Sequence, residues 1–454
     1  MTKLLSKLKF LVKIGQPFLT TRFLYAALVA VGVFAMGFPF PFFKTIGIFL
    51  FLLLLAGLLI DIILLYSPAN SIAVERNVQD QLSNGDENEV AYTLQGKLSF
   101  TPSIQVLDEY PAQLQLRNCS LPYSPDSKEF SASIAYNIYP KTRGVYYFGK
   151  IKLLVSSKLG LLNKLITYSS EKTVKVVPSI KQYKKFSFLA YSNRLEEVGV
   201  KKVRKIGSST EFEQINEFQR GDNIKRINWK ATARRSSLMV NHYEDQKAQN
   251  IYFLLDKGRM MHMPFNGLSL FDYAVNSSLS LAGVAKHKGD KVGLITFSDV
   301  IGTWLPAQSI GNQVAKISQE LYHQKIRQKE TDFARLYKNI RLRMQGRSML
   351  VLYTNFDSMV SLNRQMKYLK AISKSHLLVI VSFLNEEVVE MANKKTKGER
   401  NFFDQSIAER FLQEKQQINQ ELNLAGIYTI STLPKDLTVN SINTYLKVKS
   451  RGLL

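Results

Sequence analysis

The chain opens with two long apolar runs. From Phe23 to Phe43 there is no charged side chain, and from Thr45 to Tyr66 the only one is Asp61. Each run reaches the roughly 20 residues that an α-helix needs to cross about 30 Å of hydrocarbon. Pro39, Pro41 and Lys44 mark a tight turn between them, so residues 23–66 are expected to form a transmembrane helical hairpin. A cleaved secretory signal would show one apolar core followed by polar mature sequence, whereas here a second apolar run follows. Residues 1–22 read as a basic tail. Lys3, Lys7, Lys9, Lys13 and Arg22 precede the first run, against Lys44 alone in the turn, which keeps both ends of the hairpin on the cytoplasmic side. Leu4, Leu5, Leu8, Leu11 and Val12 have helical spacing with lysines opposite, the pattern either of a helix lying on the inner leaflet or of an unstructured basic tail.

The pattern then shortens. Over residues 67–180, β-type runs appear at Glu89 to Leu94, Gln113 to Arg117, Phe130 to Tyr139, Tyr146 to Val155 and Lys172 to Val177, with turn formers at Asn84-Gly85-Asp86 and Pro122 to Asp126. Strands at this spacing without a long amphipathic helix predict a β-sandwich. Residues 181–245 form a linker that carries a distinctive basic segment. From 246 to 454, apolar strands alternate with helices. Strands are expected at Ile251 to Asp256, Lys291 to Phe297, Met349 to Tyr353, Leu377 to Phe383 and Ile427 to Ile430. Helices are expected at Leu268 to His287, Ile310 to Arg327, Asp332 to Arg343, Met359 to Lys374, Arg400 to Leu424 and Leu437 to Val448. That alternation predicts a parallel sheet covered on both faces. The fold class is thus α+β multidomain: a transmembrane hairpin, a β-sandwich and an α/β domain.

Charge adds a constraint. The formal net charge is +25, and about +20 of it lies beyond the hairpin. A basic surface suits anionic lipid headgroups, acidic protein partners or nucleic acid. No aromatic stacking platform or recognition helix accompanies it, so specific nucleic-acid binding is not expected. The single cysteine, Cys119, has no disulfide partner and no zinc-type spacing, and sits in sequence that reads as strand and loop. Its absence of a partner fits a reducing cytoplasm.

The basic segment, EFEQINEFQRGDNIKRINWKATARRSSLMVNHYE from Glu211 to Glu244, mixes Arg220, Lys225, Arg226, Lys230, Arg234 and Arg235 with Trp229 around a Gly221-Asp222-Asn223 turn. It closely resembles the hallmark of the bacterial domain-of-unknown-function-58 family, approximately E-Y-x-x-G-D-x-x-R-x-I-x-W-x-x-[ST]-A-R-x-x-x-L. The matching residues are Glu217, Phe218, Gly221, Asp222, Arg226, Ile227, Trp229, Thr232, Ala233, Arg234 and Leu238. Arg143-Gly144, Gly149 and Leu159-Gly160-Leu161 match further family turns in the β region. The resemblance implies a von Willebrand factor A-like (Rossmann-type) C-terminal domain. It also implies an accessory role beside MoxR-type AAA+ ATPases in envelope or complex assembly. Arg220, Gly221, Asp222, Arg226, Trp229, Lys230 and Arg234 are then either a partner-binding surface or a domain seam closed by Asp222, Glu213 or Glu217.

Von Willebrand A-like domains hold Mg²⁺ with a D-x-S-x-S loop, a threonine and a further aspartate. The corresponding loop here reads Asp256-Lys257-Gly258-Arg259-Met260, leaving Asp256, Thr331 and Asn355, with Asp357 nearby, as a degenerate site. No cofactor is expected, Mg²⁺ being the cation the site would take if it took one. Gly144 to Lys150 matches G-x-x-x-x-G-K, but Ile151 follows in strand-like sequence where a phosphate loop needs a hydroxyl and a helix N-terminus. The remaining search finds no catalytic motif. His242, His262 and His287 are scattered, and Asp272 reads as a helix cap or surface partner. The expected function is a non-enzymatic, membrane-tethered adaptor in the cell inner membrane, multi-pass, with its soluble domains cytoplasmic. Its expected partners are a MoxR-type ATPase, other membrane-associated proteins and the lipid bilayer. The alternative is a metal-dependent ligand-binding or hydrolytic protein using Asp256, Thr331 and Asn355.

Overall fold

The computed structural model describes residues 16–117, 120–192, 199–200, 211–219, 222, 224, 227–244, 248–394 and 399–453. They form two compact units, Met1–Val176 and Val177–Leu454.

The first unit begins with β1 (Gln16–Leu19), followed by the apolar helices α1 (Thr21–Met36) and α2 (Pro41–Leu65). The basic tail expected over 1–22 therefore stops short of residue 16. Gln16–Leu19 adds an antiparallel strand to the 162–165 segment, whose exposed backbone edge offers it hydrogen bonds. Thr20 starts α1: its hydroxyl accepts from Phe23 N (3.3 Å) and donates to Gly160 O (2.6 Å). The amphipathic spacing from Leu4 to Val12 lies outside the described residues. Among the described residues, α2 is the one helix long and apolar enough to cross a membrane, at 25 residues. Apolar α1 has 16, below the roughly 20 a span requires. The two pack closely at Gly47, where a Cβ would lie 2.7 Å from Phe34 Cα, so only glycine lets the backbones meet there.

Ten further strands complete this unit: β2 (Ser71–Asn77), β3 (Gln81–Ser83), β4 (Asn88–Lys97), β5 (Ser103–Asp108), β6 (Ser120–Tyr123), β7 (Glu129–Ile138), β8 (Gly144–Phe148), β9 (Ile151–Ser156), β10 (Leu162–Tyr168) and β11 (Lys172–Val177). They form sheets ordered β1-β10-β9-β5-β6, β3-β11-β8 and β2-β4-β7. One core joins them, with Val90, Tyr92 and Leu94 of β4 meeting Ile104 and Val106 of β5, Leu153 of β9 and Val174 of β11. Alternate residues of β4 and β9 face this core, the period of two that pleated strands impose. Two expected strands differ. Tyr146 to Val155 is broken into β8 and β9 at Gly149, where a Cβ would lie 2.6 Å from Glu109 Oε2. Gln113 to Arg117 is not a strand, because Ala112–Leu114 forms a 3₁₀ turn and Gln115 takes a left-handed φ of 51°. Cys119 lies outside the described residues.

The second unit starts with a helix in the expected linker, α3 (Ile180–Tyr191). Ser179 caps it by accepting from Gln182 N (3.1 Å), and Phe186, Leu189 and Ala190 are buried along one face. Next come β12 (Glu211–Glu217), α4 (Trp229–Arg235) and β13 (Met239–Glu244). Then follow β14 (Asn250–Asp256), the hairpin β15 (Pro264–Phe265) and β16 (Leu268–Ser269), α5 (Leu270–His287), β17 (Lys291–Phe297) and β18 (Ile301–Gln308). The chain continues through α6 (Gln313–His323), α7 (Phe333–Arg343), β19 (Met349–Tyr353), α8 (Met359–Ser375) and β20 (Leu377–Phe383). It ends with α9 (Glu386–Asn393), α10 (Glu399–Leu424), β21 (Tyr428–Thr432) and α11 (Leu437–Ser450). The main sheet runs β18-β17-β14-β19-β20-β21. It is parallel except for β18, which pairs antiparallel at the edge in a stretch where no element was expected, and the helix expected over Ile310 to Arg327 is the shorter α6. Ile251, Phe253 and Leu255 face α5 and α11, while Leu254, Leu350 and Leu352 face α7, α8 and α10, so both faces are covered.

Candidate functional site

In a parallel sheet of this kind, ligands meet the carboxyl ends of the strands. That edge carries Asp256, the last residue of β14. Asp256 is fully enclosed, and its carboxylate accepts three hydrogen bonds: Gly258 N (2.8 Å) and Thr331 Oγ1 (2.6 Å) on Oδ1, and Thr354 Oγ1 (2.7 Å) on Oδ2. Burial pushes its pKa up, and the bonds from Thr331, Gly258 and Thr354 oppose that rise. Gly258 makes the arrangement possible, since a Cβ there would lie 2.1 Å from Thr331 Oγ1.

Two lysines are bound among the neighbouring segments. Lys415 of α10 is buried and donates from Nζ to Asn355 Oδ1 (2.9 Å) and to Phe356 O. Burial pushes its pKa down to about 8, against the pull of Asp357 and Glu414. Lys257 donates to Gln324 Oε1 (2.9 Å), and burial, with Arg327 adding repulsion, lowers its pKa. At the rim, Arg259 pairs with Glu330 (2.9 Å). A shallow cleft thus gathers Asp256, Thr331, Asn355 and Asp357, the positions singled out from sequence. Thr354 and Lys415 were missed: they are 98 and 159 residues from Asp256, and nothing local marks either one. Among the described residues, no group of three His, Cys, Asp or Glu side chains is placed to hold a metal ion.

The signature folds as a β12–β13 hairpin enclosing α4. Asn228 caps α4 through Ala231 N (3.0 Å) and holds Asn241 Oδ1 (2.8 Å). Thr232 Oγ1 accepts from Met239 N (3.0 Å), which ties the helix to β13. Asp222 Oδ2 accepts from Gln219 N (2.8 Å), closing the Gly-Asp turn locally. Trp229 is 69% exposed and Ile224 72%, and Lys230 and Arg234 are exposed beside them. Arg220, Gly221 and Arg226 lie outside the described residues. Asp272 is a cap: Ser269 and Asp272 form a reciprocal capping box at the start of α5. The Gly144 to Lys150 segment is strand β8 and a turn leading into β9, with Lys150 N donating to Glu109 Oε2 (3.0 Å).

The chain is therefore a mixed α+β multidomain protein that joins an apolar helical N-terminus to a β domain and to an α/β domain. Residues 214–415 match the family described as Protein of unknown function DUF58, which the signature segment also resembles. It is 27% identical over 252 residues to the Uncharacterized protein YeaD of Bacillus subtilis (strain 168), a match covering 54% of this chain and 60% of that one. The chain thus spans less than two thirds of the relative's length. The crystal structure of conserved hypothetical protein BatB from Bacteroides thetaiotaomicron overlaps 45% of this chain and 100% of its own, at 14% identity and a TM-score of 0.31. The CARDB domain of a Pyrococcus furiosus protein overlaps 24% of this chain and 96% of its own, at 16% identity and a TM-score of 0.18. Overlaps this loose carry no argument; strand order and register define the fold.

Proposed function

We propose that this protein is a membrane-tethered, non-enzymatic adaptor whose signature helix α4 binds another protein. The observation that carries this reading is the exposure of Trp229 on the same short element as Lys230 and Arg234. Exposed tryptophan flanked by arginine is the composition of protein-binding hot spots, and a domain seam would have buried the indole. The family resemblance makes a MoxR-type AAA+ ATPase or one of its clients the partner. In this reading α1 and α2 form a hairpin in the inner membrane, leaving both soluble units cytoplasmic. The second unit is a von Willebrand factor A-like domain that has given up its cation. Two serine positions are Gly258 and Met260, the Thr331 hydroxyl is committed to Asp256, and Lys415 occupies the Asn355 carbonyl. In this reading the oxygens around Asp256 are already committed, which disfavours the near-octahedral set that Mg²⁺ needs.

Trp229→Ala with Arg234→Ala is expected to leave the melting temperature of the full chain unchanged. The same pair should weaken copurification of its partner from native membranes by about thirtyfold, the loss that corresponds to roughly 2 kcal/mol at a hot spot. A lowered melting temperature with partner retained per folded molecule would make the segment a seam instead. Calorimetry of the full chain in detergent with millimolar Mg²⁺ or Mn²⁺ is expected to show no saturable heat. A stoichiometric site that disappears in Asp256→Ala would restore the metal-dependent reading.

A further inference from the structure

The opposite end of the sheet, at the amino ends of β19 and β20, carries a groove of about 840 Å³ between α7 and α8. Its floor is apolar, formed in part by Tyr337, Ile340 and Ile372. Its walls are cationic: Arg341, Arg347, Lys367, Lys370 and Lys374 line it, and among the described residues no acidic one does. All five are exposed, and among the described residues none forms an ion pair. Five like charges around one groove give it a positive potential that attracts anions.

Helix ends explain only part of this. Arg341 and Lys374 sit in the last turns of α7 and α8, where cations complement the helix dipole. Lys367 and Lys370 lie one to two turns earlier, beyond the reach of that effect, and Arg347 is in the connecting loop. A second observation is independent of surface charge. His376 also lines the groove and is 6% exposed, and its enclosed Nδ1 has no hydrogen-bond partner among the described residues. A buried ring nitrogen left unpaired costs stability unless something supplies a partner. Burial alone lowers the imidazole's pKa.

We propose that this groove is a phosphate-binding site that takes clustered phosphate groups, supplied by a lipid headgroup or by a soluble polyphosphate. Arginine and lysine match phosphate oxygens with short, charge-assisted hydrogen bonds, and the volume falls in the range of ordinary ligand pockets. The apolar floor accommodates the uncharged part of a phosphate ester. Nothing in this site overlaps the carboxyl-edge cleft or the signature helix, so it stands or falls separately from the adaptor reading.

The test uses the full chain in nanodiscs of neutral phosphatidylcholine, with tripolyphosphate as the probe. Calorimetry is expected to show saturable binding that weakens with added salt. Arg347→Ala with Lys370→Ala should lower the affinity by about tenfold or more, the loss of two charge-assisted contacts. Lys367→Gln with Lys374→Gln serves as a second pair should the first misfold. Lys128→Ala with Lys175→Ala removes the same charge from exposed positions of the β domain and should change nothing. Nanodiscs containing cardiolipin, whose headgroup carries two phosphates, then separate the sources. A lower apparent tripolyphosphate affinity of the wild type in them, together with headgroup binding that the groove variants lose, identifies a lipid headgroup, and undiminished binding identifies a soluble polyphosphate. Unsaturable binding, or an equal loss in the control pair, would overturn the proposal.

Discussion

Arg76→Met is expected to cost the β domain about 3–5 kcal/mol, the penalty for leaving a buried carboxylate without its counter-charge. Arg76 Nη2 donates to Asp108 and to Gly149 O (3.0 Å), Nη1 donates to Ser170 O (2.8 Å), and the guanidinium lies 5.2 Å from the centre of the Phe148 ring. Both charged side chains are completely enclosed. Asp108 also accepts from the Tyr92 hydroxyl, which stacks on Tyr136. Burial pushes the Asp108 pKa up even with Tyr92 and Arg76 opposing it, so removing the arginine drives it higher. The sign of the pH dependence follows. A carboxyl whose folded pKa lies above its unfolded value binds more protons when folded, so the variant should be most stable in acid. That stability is lost as pH rises through the folded pKa. Thermal melting of the full chain in detergent checks both points. A variant as stable as wild type at pH 8 would show that Asp108 needs no cation, whereas Arg76→Met with Asp108→Asn should recover part of the loss.

The network also shows what local pattern conveys and what it cannot. β14, β17 and β20 are legible because a strand covered on both faces is apolar at nearly every position. β18 is not, since Gly302 and Pro306 interrupt an edge strand with only one neighbour, and such sequence reads as loop. α3 carried a usable signal in the Ser179 cap and the Phe186, Leu189 and Ala190 spacing, diluted by four lysine and tyrosine positions among its first six residues. At the carboxyl edge, Asp256 and Thr331 are readable only because a family pattern places them. The partners that close the site, Thr354 and Lys415, come from the end of β19 and the middle of α10. Lys415 sits in a helix rich in charge, where one buried ammonium looks like its exposed neighbours. Chain-distant pairings of this kind depend on tertiary packing, which periodicity does not encode.

Asp61→Leu is the second substitution with a large expected effect, because the one charged residue of the second apolar run is structural. A carboxylate near the C-terminal end of a helix opposes the dipole, and within an apolar segment it is costly to bury, so its position calls for a compensating partner. The 157–162 turn supplies one. Asp61 is fully buried and accepts from Ser157 Oγ, Leu161 N (3.0 Å) and Leu162 N (2.9 Å). Gly160, at φ +64°, gives the turn its shape. On either side, Thr20 donates to Gly160 O, while Lys164 Nζ and Asn70 Nδ2 donate to Leu65 O (3.0 Å) and Leu64 O (2.7 Å) at the end of α2. This cluster fixes α2 against β10, and with it the direction in which the apolar helix leaves the β domain. Leucine at 61 would orphan two backbone amides and a hydroxyl, at about 3 kcal/mol in total. The expected readout is a lower melting temperature of the full chain, together with faster proteolysis in the 66–70 connection as α2 detaches. Asp61→Asn keeps one acceptor oxygen and should fall between wild type and leucine. Equal protease resistance of all three proteins would mean that the helix is held by apolar packing alone and that the carboxylate does not set its direction.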